Sequence, residues 1–447
     1  MATTDRPGRG VYTRQNFLSI YLPSIALAMG TGIVVPALPV YARSFGVSFE
    51  VASLVIIVQQ LGHTIVAYPT GLLMDRFGRR KVVLAGPILM ALSSFLAAMA
   101  GSFPELLIYR FIGGIGEQMW RVGRLTMIAD TGADRERGRQ ITTMSAMESS
   151  GRLFAPMIGA FIALFWDIRA PFIAHGVLCL IAIIPSFLLI RETAPHLIKV
   201  GANGRPAPTK APDAGMRALL VFPIVIFFTA QFFASFARGP IFTGQLNFYG
   251  TYAYDLGPQN IAMLATITTA VAIPMSLASG YIMDHFGRKA TLVPGLTLLT
   301  VAFGFLGLTA IFHMPFEAFM IAYLAVYACT AMTGGNMQTL GSDIAPASAR
   351  GRFYGVSHMI GNIGGPLATA AFAALSAGFG YWSAFAFLGF TAGAAALILG
   401  TQVRDRVRAE RKAEEGAVVA ASSSGGVVAP PAGAVEELAG TSNRSST

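Results

Sequence analysis

Long apolar runs separated by short polar segments dominate this chain. A transmembrane α-helix needs roughly 20 mostly apolar residues. Runs of that length come in two groups of six, on either side of a polar stretch rich in Pro, Gly and Ala. The pattern predicts an all-α membrane protein with twelve transmembrane helices, near residues 17–39, 51–70, 82–100, 104–130, 141–166, 171–190, 216–238, 259–279, 291–312, 316–342, 353–378 and 382–402.

Polar segments flank and join the two groups of spans. The first run, Phe17 to Val40, is too long for a cleavable signal peptide, so we expect it to be retained. The low-complexity C-terminal segment is expected to be disordered. The predicted parts are an N-terminus at 1–16, a six-helix bundle at 17–190, a linker at 191–215, a second six-helix bundle at 216–402 and a tail at 403–447.

Composition agrees with a membrane protein. Of 447 residues, 54% are hydrophobic and 12% are charged, whereas soluble proteins carry about 25% charged residues. The net charge of +10 does not indicate nucleic-acid binding, because the basic residues form short clusters between apolar runs. The two cysteines lie far apart, and we expect no disulfide, metal or cofactor.

The placement of Lys and Arg predicts the orientation. With the N-terminus inside, only Arg43, Arg169 and Arg238 fall outside, apart from the arginines within the spans. Both termini are therefore expected to be cytoplasmic, in a plasma or inner membrane. Lipid headgroups would contact the basic loops.

The two halves repeat each other. "GLLMDRFGRRK" follows the second span and "GYIMDHFGRKA" follows the eighth, at the same place in each half. A second pair of matching loops follows the fourth and tenth spans, where Asp130 precedes Arg137–Arg139 as Asp343 precedes Arg350–Arg352. These matches indicate an internal duplication and two pseudo-symmetric bundles.

The loop G-x-L-x-D-R-x-G-R-R resembles the signature loop of the major facilitator superfamily. The second copy departs from it, with Ile282 for Leu and His285 for the first Arg. The resemblance implies that fold and secondary transport by alternating access, with these loops as cytoplasmic gates. Glycines in such a loop would let two turns approach closely, and Asp75 would accept hydrogen bonds from a helix N-terminus or from neighbouring arginines. Enforcing topology is the alternative role of the basic residues. The expected gating residues are Gly71, Asp75, Arg76, Gly78, Arg79, Gly280, Asp284, Gly287, Arg288, Asp130 and Asp343.

The first span, with Pro36 and Pro39, and the fifth span, with "GRLFAPMIGA", resemble the drug:proton antiporter branch of that superfamily. Small residues and proline there are expected to pack at the contact between the halves. One departure is that the first span carries no acidic residue, so a proton would need another carboxylate.

The fourth span carries a stripe of charges. At 100° per residue, Arg110, Glu117, Arg121 and Arg124 fall within an arc of roughly 60°. Charges inside a membrane must contact protein or water. The stripe therefore predicts an ionic row that contacts other helices or a wet crevice.

Residues at matching depth in the fifth span suggest partners for this row. We expect Glu117 to pair with Arg152, and Arg121, with Arg124 as a further candidate, to pair with Glu148. The alternative is a structural network, although buried ion pairs contribute little stability. Glu117 is the preferred proton site, and Glu148 is the second choice.

Further pathway candidates are less specific. Gln59 and His63 could line the cavity, although a lone His in a span more often serves packing. By family analogy, the fourth and tenth helices contribute aromatic and amide side chains. The remaining candidates are Gln60, Trp120, Tyr323, Tyr327 and Asn336.

Two transport functions fit these features. One is a proton-coupled exporter of drugs or amphipathic compounds, since Met and Phe can line an adaptable cavity. The other is a transporter of an organic anion or metabolite that uses the intramembrane arginines. A membrane receptor or channel is disfavoured by the first gating loop, and an enzyme by the lack of catalytic motifs. We expect a monomer whose partners are a small-molecule substrate, protons and lipids.

Overall fold

The computed structural model describes residues 18, 21–131, 143–144, 147–190, 192, 222–345 and 350–402, and within them the chain is almost entirely helical. The predicted N-terminus, linker and tail lie almost wholly outside these residues. The helices are α1 Leu22–Val34, α2 Ala37–Arg43, α3 Phe49–Phe77, α4 Arg79–Ala98, α5 Phe103–Thr131, α6 Ala155–Phe165, α7 Ala170–Leu189, α8 Phe222–Phe242, α9 Gln245–Tyr254, α10 Pro258–Phe286, α11 Lys289–Ile311, α12 Phe316–Ile344, α13 Arg350–Phe379 and α14 Tyr381–Gln402.

These helices account for the twelve predicted spans. Within the described residues, nine helices are long and apolar enough to cross a membrane, and α1 with α2 forms a tenth span bent by 40°. The bend follows Pro36 at the N-terminal end of α2. Long helix α5 fits the fourth span although it carries more charge. Residues 147–153 are helical and continue through Phe154 into α6 as the fifth span.

The seventh span is longer than predicted. Helix α8 continues to Phe242, and α9 follows after Gly244, whose φ of +81° is readily adopted by glycine. Arg238, which was expected outside, therefore lies within α8 and is buried. The helix continues because apolar residues follow this one charge.

The duplication is visible in the backbone. Helices α3 and α10 both have 29 residues, and Gly78 and Gly287 cap them with the same φ of +92°. The N–H of each glycine donates to the carbonyl of a methionine four residues earlier, Met74 or Met283. A side chain is strained at this φ, so glycine at these two loop positions is a conformational requirement.

Small residues bring helices of the same half together. A Cβ on Gly159 would clash with the Ile33 carbonyl of α1, and one on Gly364 would lie 2.8 Å from the Ser235 side chain of α8. The fifth and eleventh spans thus pack closely on the first and seventh. The expectation that these small residues lie between the halves is wrong in this respect, although other parts of these spans do face the opposite half.

The two bundles meet at two helix pairs. Helix α3 packs against α13, and α6 packs against α10. One buried hydrophobic core contains residues from both halves, including Phe49, Phe172, Phe372 and Phe385. A separate core around Trp120 lies within the N-terminal half. Helix α5, which carries the ionic row, packs mainly against α3 and α4.

Candidate functional site

Glycines set the position of α5 against α3. A Cβ on Gly114 of α5 would clash with the backbone of Gln59, and one on Gly62 would lie 2.5 Å from the Phe111 carbonyl oxygen. The two backbones are therefore nearly in contact. This close crossing places two polar side chains of α3, Gln59 and His63, within reach of Glu117.

Glu117 lies at the centre of a polar cluster that joins α3 and α5. Its Oε2 accepts a hydrogen bond from Gln59 Nε2 at 3.1 Å and lies 3.0 Å from His63 Nε2. Arg110 donates to Gln59 Oε1. The Glu117 side chain is 29% exposed and that of His63 is 11% exposed. The carboxylate is thus held by protein donors and is still reached by solvent.

An ion pair lies between Arg124 of α5 and Glu148. The Arg124 guanidinium also donates to Ser24 Oγ of α1 at 2.8 Å and lies 5.6 Å from the centre of the Trp120 ring. Arg124 is buried. The pair holds residues 147–153 against α5 and α1.

The predicted pairing between the ionic row of α5 and the fifth span is therefore partly confirmed. Arg124, the further candidate, pairs with Glu148, whereas Arg121 instead donates to Gln118 of its own helix. The direct contacts of Glu117 are with α3. Matching depth did not reveal these contacts because it leaves the rotation of each helix about its axis undetermined.

Arg121 and Arg152 remain exposed beside the cluster. Both lie close enough to attract the Glu117 carboxylate electrostatically. Described protein atoms leave a substantial part of the surface of these two side chains uncovered. The cluster consequently combines a partly exposed carboxylate with two exposed positive charges.

The predicted pathway residues of α12 lie in helix packing rather than beside Glu117. The Tyr323 hydroxyl donates to Asn247 at 2.6 Å, and the Tyr327 hydroxyl donates to the Ile241 carbonyl at 3.4 Å. Asn336 donates to Ser279 and Thr291, which join α12 to α10 and α11. These three residues act as polar contacts between helices.

The two remaining pathway candidates differ in their surroundings. Trp120 is buried in the core of the N-terminal half, where its ring also meets Arg124. Gln60 is partly buried on α3, beside the Gln59 that contacts Glu117. Each lies on a helix that contributes to the polar cluster, Trp120 on α5 and Gln60 on α3.

The two gating-loop motifs begin at glycines that are not closely packed. A Cβ on Gly71 or Gly280 would meet no atom within 4 Å, so the close approach expected for these glycines is absent among the described residues. Asp75 and Arg76 are exposed, and the Arg76 guanidinium lies over Phe77.

Sequence reasoning missed an acceptor at the start of α4. Glu192, just after the sixth span, accepts hydrogen bonds from the backbone N–H groups of Arg79 and Arg80, at 2.9 and 3.2 Å. A carboxylate is stabilised at a helix N-terminus. Asp75 was the expected acceptor, and the available signal for Glu192 was its acidic side chain directly after an apolar run.

In the C-terminal half, the equivalent loop packs within its own bundle. Lys289 Nζ donates to the Gly400 carbonyl of α14 at 2.8 Å. Arg288 precedes α11 as its N-terminal flanking residue. The side chains of Asp130, Asp284 and Asp343 lie outside the described ones, as does the first RGR segment at 137–139.

The two halves are joined at the opposite end, which we call the closed end. Arg43 pairs with Asp255 and donates to the Thr251 carbonyl at 2.9 Å. Tyr252 donates to the Val47 carbonyl at 3.1 Å, and Gln245 donates to Ser53 at 2.6 Å. All of these contacts link the N-terminal and C-terminal halves.

An aromatic group seals the same end. The Phe49 ring lies 5.9 Å from Tyr252, 6.0 Å from Phe372 and 5.0 Å from Tyr381 between ring centres. Phe49 belongs to the N-terminal half and the other three to the C-terminal half. Aromatic pairs in this distance range are favourable beyond the area that they bury.

A family model for the Major Facilitator Superfamily matches residues 20–369. This span covers both bundles. The chain belongs to the Major Facilitator Superfamily. The expected family, the all-α membrane fold of twelve helices in two bundles and an integral multi-pass membrane protein are thereby confirmed.

Two bacterial relatives give the similarity more detail. The quinolone resistance protein NorA of Staphylococcus aureus is 31% identical over 173 residues, which cover 39% of this chain and 44% of NorA. Multidrug resistance protein 2 of Bacillus subtilis is 23% identical over 342 residues, 74% of this chain and 84% of that protein. The match thus spans less than half of NorA.

Solved structures share the fold at low identity. The D-xylose-proton symporter superposes with a TM-score of 0.69 at 19% identity, covering 88% of this chain and 98% of the symporter. The inward-open xylose transporter XylE of E. coli gives 0.67 at 16% identity, with 88% and 97% covered. The human organic anion transporter MFSD10 gives 0.59 at 17% identity, with 86% and 99% covered. These similarities concern the fold alone.

Proposed function

We propose that this chain is a proton-coupled exporter of drugs or other amphipathic compounds that works by alternating access. The observation that carries the proposal is the partly exposed Glu117 carboxylate, held inside a span by Gln59 and His63. A charge at such a depth is costly and marks a functional site. The names of the two bacterial relatives, which refer to quinolone and multidrug resistance, support the drug class.

The surroundings of Glu117 act on its protonation state in opposite directions. Arg121 and Arg152 favour the ionised carboxylate, whereas burial favours the neutral acid. A movement of the halves that changes its hydration would change its proton affinity. Proton binding on one side and release on the other then couples transport to the proton gradient.

The contacts between the halves suggest which state is present. The closed end holds the Arg43–Asp255 pair and the Phe49 aromatic group, while at the gating loop Asp75 is exposed and a Cβ on Gly71 would meet no described atom within 4 Å. The positive-inside pattern assigns the gating loop to the cytoplasm. We therefore assign this conformation as open to the cytoplasm, in a cell membrane with both termini inside.

Flux measurements test the coupling. Proteoliposomes loaded with ethidium, and separately with a quinolone, would be given an outward or inward pH gradient. Glu117→Gln should lose pH-driven flux at least about tenfold, a change of roughly 1.4 kcal/mol or more in the barrier. Glu105→Gln is the matched control, because Glu105 lies on the same helix and bonds only to the nearby Gly101 and Ser102.

Two outcomes would contradict the proposal in different ways. If Glu117→Gln and Glu148→Gln both retain pH-driven flux, the proton site is wrong. If the wild-type protein moves neither compound under any gradient, the drug class is wrong.

A monomer is proposed for transport, and single-particle mass measurement in detergent would check it.

An organic anion is the second candidate substrate. The site region carries Arg110, Arg121, Arg124 and Arg152 against two glutamates, and Arg238 is buried in α8 with no carboxylate bonded to it among the described residues. Arginine binds carboxylate and phosphate groups well. This excess favours a negatively charged substrate over a cation.

The two substrates predict opposite coupling. A cation competes with the proton for Glu117, so the two exchange. An anion at Arg121 and Arg152 binds better once Glu117 is protonated, so the two bind together. Arg121→Ala and Arg152→Ala should therefore abolish binding of anions and spare lipophilic cations if the second candidate holds.

A further inference from the structure

The polar cluster contains a second group that can carry a proton. Of the side chains bonded to Glu117, Gln59 carries an amide, which does not exchange its charge state in water, whereas His63 carries an imidazole, a group that can bind a proton. We propose that the His63 imidazole and the Glu117 carboxylate form one proton-binding pair, with His63 as the group that delivers the proton to Glu117. This proposal rests on the role given above to Glu117 and adds the residue that works with it.

The geometry fits a transfer between the two groups. His63 Nε2 lies 3.0 Å from Glu117 Oε2, a normal hydrogen-bond distance. The glycine crossing of α3 and α5 holds the two backbones so closely that this contact is maintained. The carboxylate is more exposed than the imidazole, at 29% against 11%. Both groups are therefore held at hydrogen-bond distance, and neither is completely covered by protein.

The proton balance of the step is simple. In the tautomer that carries its hydrogen on Nε2, His63 donates a hydrogen bond to the ionised Glu117 carboxylate. A hydronium ion in the crevice gives a proton to the Nδ1 lone pair and leaves as water. The hydrogen on Nε2 then moves to Oε2, which leaves a neutral imidazole and a neutral carboxylic acid. The pair has gained one proton and its charge has changed from −1 to 0.

The other charged groups near the pair come from neighbouring elements. Arg110 and Arg121 lie on α5, and Arg152 lies on the helical residues before α6. His175 of α7 is buried and bonded to Ser94 of α4. The described charged side chains of α4 lie at its gating-loop end, those of α2 at the closed end, and α13 has none among its described side chains. Arginine stays protonated, so His63 is the exchangeable neighbour bonded to Glu117.

Infrared spectroscopy of the protein in lipid would read the proton directly. The full chain, without substrate, is titrated while the carboxyl C=O stretching band is recorded. In the wild type, we expect a band that titrates with pH and is lost in Glu117→Gln. His63→Gln keeps a hydrogen-bond donor and cannot accept a proton, so the pH midpoint of the band should move by about one unit, a factor of ten in proton affinity.

Controls separate a titrating role from packing. His175→Gln removes another buried imidazole of the same half and should move the midpoint by much less. If His63→Gln does not give a monodisperse protein, His63→Asn replaces it, since Asn also cannot accept a proton. An unchanged midpoint in a folded His63 variant would overturn the pair, and so would a band that persists in Glu117→Gln.

The failure of this inference can be told from the failure of the proposed function. If Glu117→Gln loses pH-driven flux while His63→Gln leaves both flux and the infrared midpoint unchanged, Glu117 works without His63. If Glu117→Gln keeps pH-driven flux, the coupling role itself is wrong. The first result overturns only the His63 proposal.

Discussion

Helices α5 and α12 occupy corresponding places in the two halves and have the same length of 29 residues. Their polar residues differ. Where α5 carries Arg110, Glu117, Arg121 and Arg124, the matching positions of α12 hold Tyr323, Thr330, Gly334 and Met337. The duplicated backbone therefore does not require charges.

The contacts of the two helices show what each polar set does. Asn336 of α12 bonds to Ser279 and Thr291, and these neutral side chains are buried. On α5, Glu117 is partly exposed and Arg121 is exposed. The comparison indicates that the N-terminal half carries the proposed coupling chemistry, while neutral hydrogen bonds stabilise the C-terminal half.

The largest expected effect is on the Arg124–Glu148 ion pair, which has no counterpart at the matching positions of α12. Glu148→Ala leaves Arg124 buried without its carboxylate. Removing one partner of a buried pair costs roughly 3–5 kcal/mol, so the melting temperature in detergent should fall markedly. The double variant Arg124→Leu with Glu148→Leu should melt closer to the wild type. Melting of Glu148→Ala at the wild-type temperature would show that the pair contributes no stability.

A glycine pair gives the next contrast. Gly114→Ala on α5 would clash with the backbone of Gln59, whereas Gly334 on α12 has open space around its Cβ position. Overpacking costs about 1–3 kcal/mol, while Ala in an open helix position is favourable by up to ~1 kcal/mol. Thermal melting should show Gly114→Ala destabilised and Gly334→Ala unchanged or more stable. Equal melting of both variants would contradict the close crossing of α3 and α5.

A smaller effect is expected from Asn336→Ala in the C-terminal half. Its loss removes bonds between α12 and its two neighbours, and such interhelical bonds are worth about 0.5–2 kcal/mol. Melting should detect this change, and the pH profile of flux should keep its wild-type shape. A shifted profile would instead place Asn336 in the proton pathway, against the comparison of the two halves.

The smallest effect concerns the closed end, where both halves contribute equally. Arg43 and Asp255 are substantially exposed, and exposed pairs contribute no more than about 1 kcal/mol. Asp255→Asn should therefore shift the balance between conformations by no more than about fivefold. Distances between spin labels on the α2–α3 connection and on α9 would measure it. A complete shift to an outward-open state would mean that this pair alone holds the closed end.

Much of the architecture follows from the order of residues along the chain. Twelve apolar runs and two matched loops predict two six-helix bundles, because run length and loop motifs are local properties. The charged stripe of α5 is also local, since its residues share one face of one helix. Arg238 shows a limit, because a single charge within an apolar stretch does not reveal whether it ends the span.

The partners of these charges were less predictable. Depth along a helix follows from its rise of about 1.5 Å per residue, and on that basis Arg124 was one candidate for Glu148. Depth did not predict that His63 and Gln59 would meet Glu117, because that contact depends on the crossing at Gly62 and Gly114. Glu192 at the α4 N-terminus likewise depends on how the sixth span ends beside α4.

The chain's linear pattern is sufficient for its membrane class, its number of spans, its duplicated halves and the helix that carries intramembrane charge. The pairing of those charges and the contacts between the halves at the closed end come from lateral packing of helices that are distant in the chain. The reason is physical. Hydrophobic length places a helix in the bilayer, whereas its rotation and neighbours follow from close contacts such as those of Gly114 with Gln59.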